Sequence, residues 1–189
     1  MDANDLKGLF TETTKRMVTA LDHVKHELGG VRTGRASVTI LDNVHVEAYG
    51  SRMPLNQLAG LSVPEPTMIV AQPFDPSQLG AIEKAIRSSD LGLNPANDGK
   101  VVRIPIPSLT EERRKELSRL VHKLAEEGRN SVRTVRRDAN ERLKKLLKDH
   151  KISEDDERKG LEEVQRITDN HIKLIDDAQK KKDTDLLGR

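Results

Sequence analysis

Residues 108–150, SLTEERRKELSRLVHKLAEEGRNSVRTVRRDANERLKKLLKDH, contain no proline and a single glycine, Gly128. Ser108 followed three residues later by Glu111 has the form of a capping box, in which each side chain satisfies a backbone N–H at a helix start. Apolar or small residues recur at Leu117, Leu120, Val121, Leu124, Val132, Val135, Ala139, Leu143, Leu146 and Leu147. Steps of three and four residues line one face of an α-helix. About forty residues at about 1.5 Å each predict a rod on the order of 60 Å long. A second face, offset by roughly 130° at about 100° per residue, carries Arg119, His122, Arg129, Arg133, Arg137, Asn140 and Lys144, with Arg136 beside it. The predicted helix thus presents one stripe that needs apolar partners and another suited to an anion.

Two further segments supply matching apolar stripes. Residues 5–29 place Leu6, Phe10, Met17, Leu21, Val24 and Leu28 at helical spacing, with Thr13 and Ala20 in the same seam. Gly29-Gly30 ends that helix, glycine being the usual residue at a helix C-terminus. Residues 154–185 place Leu161, Val164, Ile167, Ile172, Ile175 and Ala178 on one face, reaching toward Leu186. Ser153-Glu154-Asp155-Asp156 caps it with acidic residues that complement the helix dipole. No one of these narrow seams can be buried alone, and a three-helix bundle buries all three together.

Between the first two helices the chain changes character. All eight prolines fall within residues 31–108. β-Branched or alternating runs at 44–49, 67–71 and 100–104 predict strands, and Ser77–Ser89 predicts a short helix. The expected fold is α+β: an elongated antiparallel three-helix bundle built from residues 1–30 and 108–189, with a small β/α/β domain inserted at 31–107. Gly30 and Val31 on the way out, and Ile104, Pro105, Ile106 and Pro107 on the way back, form a two-strand hinge in this reading.

Composition narrows the function classes. Apolar and charged residues each make up 34% of the 189, a balance suited to slim bundles rather than a wide core. With no cysteine, disulfides, thiolate metal sites and cysteine catalysis are excluded. One Tyr, two Phe and no Trp leave no stacking platform of the kind used by single-strand nucleic-acid readers. Met1-Asp2-Ala3-Asn4-Asp5 lacks the basic start and apolar run of a signal peptide, and no stretch approaches the roughly twenty apolar residues of a membrane span. A cytoplasmic protein with no membrane association is expected. The net charge of +2 is unevenly spread: residues 109–151 hold 14 basic and 8 acidic residues, net +6, whereas 1–30, 31–108 and 152–189 carry −1, 0 and −3. A local excess of this kind suggests a polyanion contact confined to the long helix.

No motif points to an enzyme. Gly29-Gly30 follows a helix rather than a strand, and Gly34 lacks the Lys-Ser/Thr continuation of a nucleotide loop. No serine sits in a nucleophile elbow, and a carboxylate pair would need a cleft that a slim bundle does not supply. His23 and His26 lie three apart without a third ligand and read as solvated helix residues. Lys180-Lys181-Lys182 reads as a solvated helix end. No metal or other cofactor is expected.

Two basic constellations remain. Arg32-Thr33-Gly34-Arg35 is open to two readings, a dipole-complementing helix end or a phosphate contact beside the hinge. Arg129, Arg133 and Arg137 recur at steps of four with Arg136 alongside, and few acidic residues at i±3 or i±4 neutralise them. Arginine forks grip phosphate at two points, which favours an anion, RNA above all, over a merely solvated face. The competing reading is a helical scaffold or chaperone-like module, which requires an exposed apolar patch on the rod.

Several stretches carry a family resemblance. They are Val31-Arg32-Thr33-Gly34-Arg35-Ala36-Ser37, Glu83-Lys84-Ala85-Ile86, Asp90-Leu91-Gly92-Leu93-Asn94-Pro95, Leu109-Thr110-Glu111-Glu112-Arg113-Arg114-Lys115, Val135-Arg136-Arg137-Asp138-Ala139-Asn140 and Ile152-Ser153-Glu154-Asp155-Asp156. In this order the chain resembles the bacterial ribosome recycling factor family. The resemblance implies an L-shaped, monomeric translation factor with no catalytic activity of its own. Its implied partners are the ribosome, at the subunit interface, and elongation factor G, with which it splits post-termination complexes. It also implies that Arg133, Arg136 and Arg137 contact large-subunit rRNA, and that Arg32 and Arg35 belong to a basic hinge motif. The inserted domain is implied to swing and to meet elongation factor G.

Overall fold

The structure is a computed structural model that describes residues 3–187. It divides into two compact units: one takes in the chain up to Arg32 and again from Glu111, and the other is Thr33–Thr110.

Three helices make the first unit: α1 (Ala3–Gly29), α4 (Glu111–Lys148) and α5 (Glu154–Leu187). At about 1.5 Å per residue the 38 residues of α4 span about 57 Å. Both α1 and α5 run antiparallel to α4. Contacts between α1 and α4 step in opposite directions along the two helices, from Glu12–Arg142 through Arg16–Asp138 to Val24 against Gly128. The five residues 149–153 return the chain from α4 into α5, a length typical of antiparallel neighbours. Asp156 N–H donates to Ser153 Oγ and Ser153 N–H to Asp156 Oδ2, both at 3.1 Å. Ser153 and Asp156 thus form a reciprocal cap.

Leu117, Val121, Val132, Val135, Ala139 and Leu143 are buried on α4 as their spacing predicts. Three details differ. The helix begins at Glu111, so Ser108 lies outside it and forms no capping box with Glu111. Leu120, expected in the seam, is 41% exposed. Ala125 and Gly128, not expected in the seam, are buried, and at Gly128 the three helices come close enough to exclude a larger side chain. A Cβ on Gly128 would overlap Val24 Cγ2 of α1 and lie 3.5 Å from Ile175 Cδ1 of α5. On α1, Leu9 is buried while the predicted Leu6 and Phe10 are half-buried.

The second unit holds more strands than the β/α/β pattern predicts. A hairpin of β1 (His45–Ala48) and β2 (Ser51–Pro54) leads through one turn of helix, α2 (Leu55–Leu58), into β3 (Ala59–Glu65) and β4 (Met68–Pro73). Then come α3 (Leu79–Arg87), β5 (Ala96–Asn97) and β6 (Val102–Pro105). Four strands form an antiparallel sheet in the order β3-β4-β6-β5. Ile69, Ala71, Val102 and Ile104 share a core with Ile82 and Ile86 of α3 and with Val46 and Ala48 of β1.

Candidate nucleic-acid interface

The cationic face of α4 divides into engaged and unengaged side chains. Arg129 is tied into the bundle. Its Nε donates to Glu126 Oε2 at 2.8 Å, and its Nη1 to Asp176 Oδ1 at 2.6 Å and to Gln179 Oε1 at 3.1 Å. Only 14% of its side chain is exposed. Partial burial works against its charge, but the bonds to Glu126 and Asp176 outweigh it and raise the guanidinium pKa. His122 is also turned toward α5: Gln179 Nε2 donates to its Nδ1 at 2.8 Å, and its Nε2 lies 3.5 Å from Asp183 Oδ2. Arg133 stays on its own helix, donating to Glu126 Oε1 at 3.1 Å and Asn130 Oδ1 at 3.0 Å. Glu126 thus serves two arginines, whose hydrogen bonds hold its carboxyl below the usual range.

On this face the neutralising partners do not extend to Arg136 and Arg137. Asp138, the acid nearest Arg136 and Arg137 in sequence, is taken by Arg16 of α1 at 2.9 Å. Among the described residues, Arg136 and Arg137 make no hydrogen bond or ion pair, nor do Arg119 and Lys144. Arg137 is exposed and Arg136 half-buried. Asn140, on the same face, has a buried Oδ1 with no hydrogen-bond partner among the described residues.

The second basic constellation lies where the chain passes between the units. Gly30 N–H still bonds to His26 O and Glu27 O, and Val31 is buried, so both close off the end of α1. Arg32 is exposed and makes no hydrogen bond or ion pair among the described residues. Arg35 is exposed too. Gly34 has φ +75°, and a Cβ there would lie 3.2 Å from Leu109 Cγ. The outgoing and returning segments therefore touch at Gly34 and Leu109. On the return, Ile104 is buried in β6, Pro105 pairs with Met68, and Ile106 N–H donates to Thr67 O at 2.7 Å. Ile104 and Pro105 belong to the sheet and Ile106 is hydrogen-bonded beside it, while residues 106–110 run without regular structure.

The family follows from comparison with known proteins. The model of the family described as Ribosome recycling factor matches residues 24–187. The chain belongs to the ribosome recycling factor family. A ribosome-recycling factor of Bradyrhizobium diazoefficiens is 53% identical over 178 residues, covering 94% of this chain and 95% of its own. One of Rubrobacter xylanophilus is 51% identical over 178 residues, with 94% and 96% covered. A solution structure of a ribosome recycling factor superposes with a TM-score of 0.75 at 43% identity over 98% of both chains. A second match has a TM-score of 0.64 at 48% identity, over 97% of this chain and 99% of that one. It comes from models of the T. thermophilus recycling factor and the E. coli elongation factor G bound to the E. coli post-termination complex. Sequence reasoning did not reveal that Arg129 and His122 are committed to α5. Their partners lie 47 to 61 residues away in the chain, beyond any helical spacing rule.

Proposed function

We propose that this chain is a non-enzymatic translation factor that works with elongation factor G to split post-termination ribosomes into subunits. The observation that carries its mode of binding is the pair Arg136 and Arg137. They stay uncommitted on a helix whose neighbouring arginines are satisfied by Glu126, Asn130, Asp176 and Gln179. A guanidinium without an internal acceptor is free to take a phosphate in two-point fashion. Large-subunit rRNA is the phosphate source in this reading. Arg133 joins the contact by exchanging Glu126 for phosphate, Arg129 holds the helix in register, and Arg32 and Arg35 add charge beside the linkers. No cofactor is needed, and the energy comes from GTP hydrolysis by elongation factor G. The chain acts as a monomer in the cytoplasm, where its partner works. The turning points between the two units are Arg32–Arg35 and Pro107–Thr110, flanking the predicted Gly30, Val31 and Ile104–Pro107.

The test is subunit separation from purified post-termination ribosomes with elongation factor G and GTP, with and without this protein. Light scattering should fall only when all three are present. Splitting by elongation factor G and GTP alone, at the same rate, would remove the proposal.

A further inference from the structure

Two of the three aromatic side chains lie exposed at one corner of the inserted unit instead of in a core. Tyr49 is 65% exposed and Phe74 70%. Tyr49 Oη donates to Asp75 Oδ2 at 2.6 Å, and Phe74 is the residue before Asp75. Neither ring belongs to the core of the inserted unit. Tyr49 and Gly50 form the two-residue turn joining Ala48 to Ser51, with φ of +54° and +75°. A turn with both φ values positive takes Asn-Gly or Gly-Gly at least cost, and a bulky residue there is an outlier. The Phe74 ring rests near Gly60 of β3, 3.9 Å from where a Cβ would stand, and is otherwise open to solvent.

The polar groups of this corner are already ordered. Asp75 Oδ1 accepts from Ser77 N–H at 2.9 Å while Oδ2 accepts from Tyr49. The bond from Tyr49, followed by those from Ser77, lowers the Asp75 pKa, and the same bond to Asp75 raises that of the phenol. At neutral pH the corner therefore presents a fixed carboxylate that is bonded to an exposed phenol and follows an exposed phenyl residue in the chain.

We infer that the Tyr49–Phe74–Asp75 corner is a docking site for a basic segment of a protein partner, with an arginine or lysine seated against the rings and paired with Asp75. Ring faces attract cations, and a carboxylate held by two donors keeps lone pairs for a guanidinium. The same carboxylate repels a phosphate backbone, which separates this corner from the arginine face of α4. The inference does not depend on the ribosomal role, because its test uses the full chain alone.

Tyr49 is the only tyrosine and there is no tryptophan, so tyrosine emission reports on this corner directly. Full-length protein is titrated with nona-arginine, nona-glutamate and a uridylate 9-mer while that emission is followed. Nona-arginine should give a saturable change, and the other two should not. Asp75→Asn and Phe74→Ala should each raise the apparent Kd for nona-arginine about tenfold or more. The inference is overturned by no response to nona-arginine, by an equal response to the uridylate, or by unchanged affinity in both variants.

Discussion

Two arginines eight residues apart on one helix are expected to respond oppositely to removal. Arg137 is exposed and without an acceptor among the described residues, and substitutions at such positions usually change stability by no more than about 0.5 kcal/mol. Arg137→Ala, or Arg136→Ala beside it, should leave the melting temperature nearly unchanged and weaken ribosome binding severalfold. The salt dependence of binding should become shallower by about one counterion for each phosphate that is no longer neutralised. Arg129 bonds to Glu126, Asp176 and Gln179. Its removal strands the Gln179 side-chain carbonyl and takes away one of the ties between α4 and α5, leaving those of His122. Arg129→Ala should cost about 1–2 kcal/mol, since hydrogen bonds to charged groups are worth about 1.5–3 kcal/mol and Asp176 can recover water. Calorimetry and a sedimentation binding assay separate the two effects. Equal binding by Arg137→Ala, Arg136→Ala and the parent at physiological salt would remove the anchoring role.

At the scale of elements, Gly128 decides how closely the helices approach. Alanine is the better helix former by about 1 kcal/mol, so an exposed glycine at this place would gain from replacement. Here the added Cβ meets Val24 Cγ2. Valine in a helix is held almost entirely to one χ1 rotamer, so that methyl cannot swing aside and α1 must move. Gly128→Ala should destabilise by about 1–3 kcal/mol, as overpacked cores do, and thermal melting is the measurement. A gain in stability would mean that α1 yields at this point without cost. The start of α5 makes a pH prediction. Hydrogen bonds from Ser153 lower the Asp156 pKa, and side-chain bonds from Arg142 and Arg166 lower those of Glu12 and Glu163. A depressed folded-state pKa contributes stability above the unfolded value, and this is lost as pH falls through the folded value. The melting temperature should therefore hold from neutral pH to about pH 5 and decline below about pH 4. Asp156→Asn should show a smaller decline over that range, and a parallel curve would sink this assignment. Periodicity exposed the three long helices because each runs through many turns of one repeating pattern. It could not expose the β1–β2 hairpin, whose turn holds tyrosine where a turn residue is expected. Nor did it expose β3, an edge strand interrupted by Gly60 and Pro64, since proline is tolerated at edges. Ala125 and Gly128 escaped notice as core residues because small side chains give little hydrophobic signal. The arginine face was legible as a charge pattern, while its division into engaged and free residues depends on α5 contacts that spacing does not encode.

For the whole molecule, the chain order makes a separable architecture testable. The bundle is assembled from both ends of the sequence, with residues 33–110 between them. Each unit encloses apolar residues of its own: Leu9, Ala139, Leu143, Ile152 and Val164 in the bundle, and Val46, Ile69, Ile82 and Ile104 in the inserted unit. A bundle without the insert should therefore fold if its helices can be rejoined. Val24 lies against Gly128 and the two helices are antiparallel, so Gly29 stands level with about residue 123 of α4. From there α4 runs back to Glu111 over about 12 residues, or about 18 Å. A Gly/Ser linker of about ten residues matches this distance, at about 5–6 Å times the square root of its length. Replacing residues 33–110 by such a linker should give a helical protein with a single cooperative melt. It keeps Arg133, Arg136 and Arg137, and should bind ribosomes with salt sensitivity close to that of the full chain. It lacks the unit assigned to meet elongation factor G, and so should fail to split post-termination complexes. Retained splitting would move the partner contact onto the bundle. A folded bundle that no longer binds would move the anchor off α4 and onto Arg35 or the inserted unit.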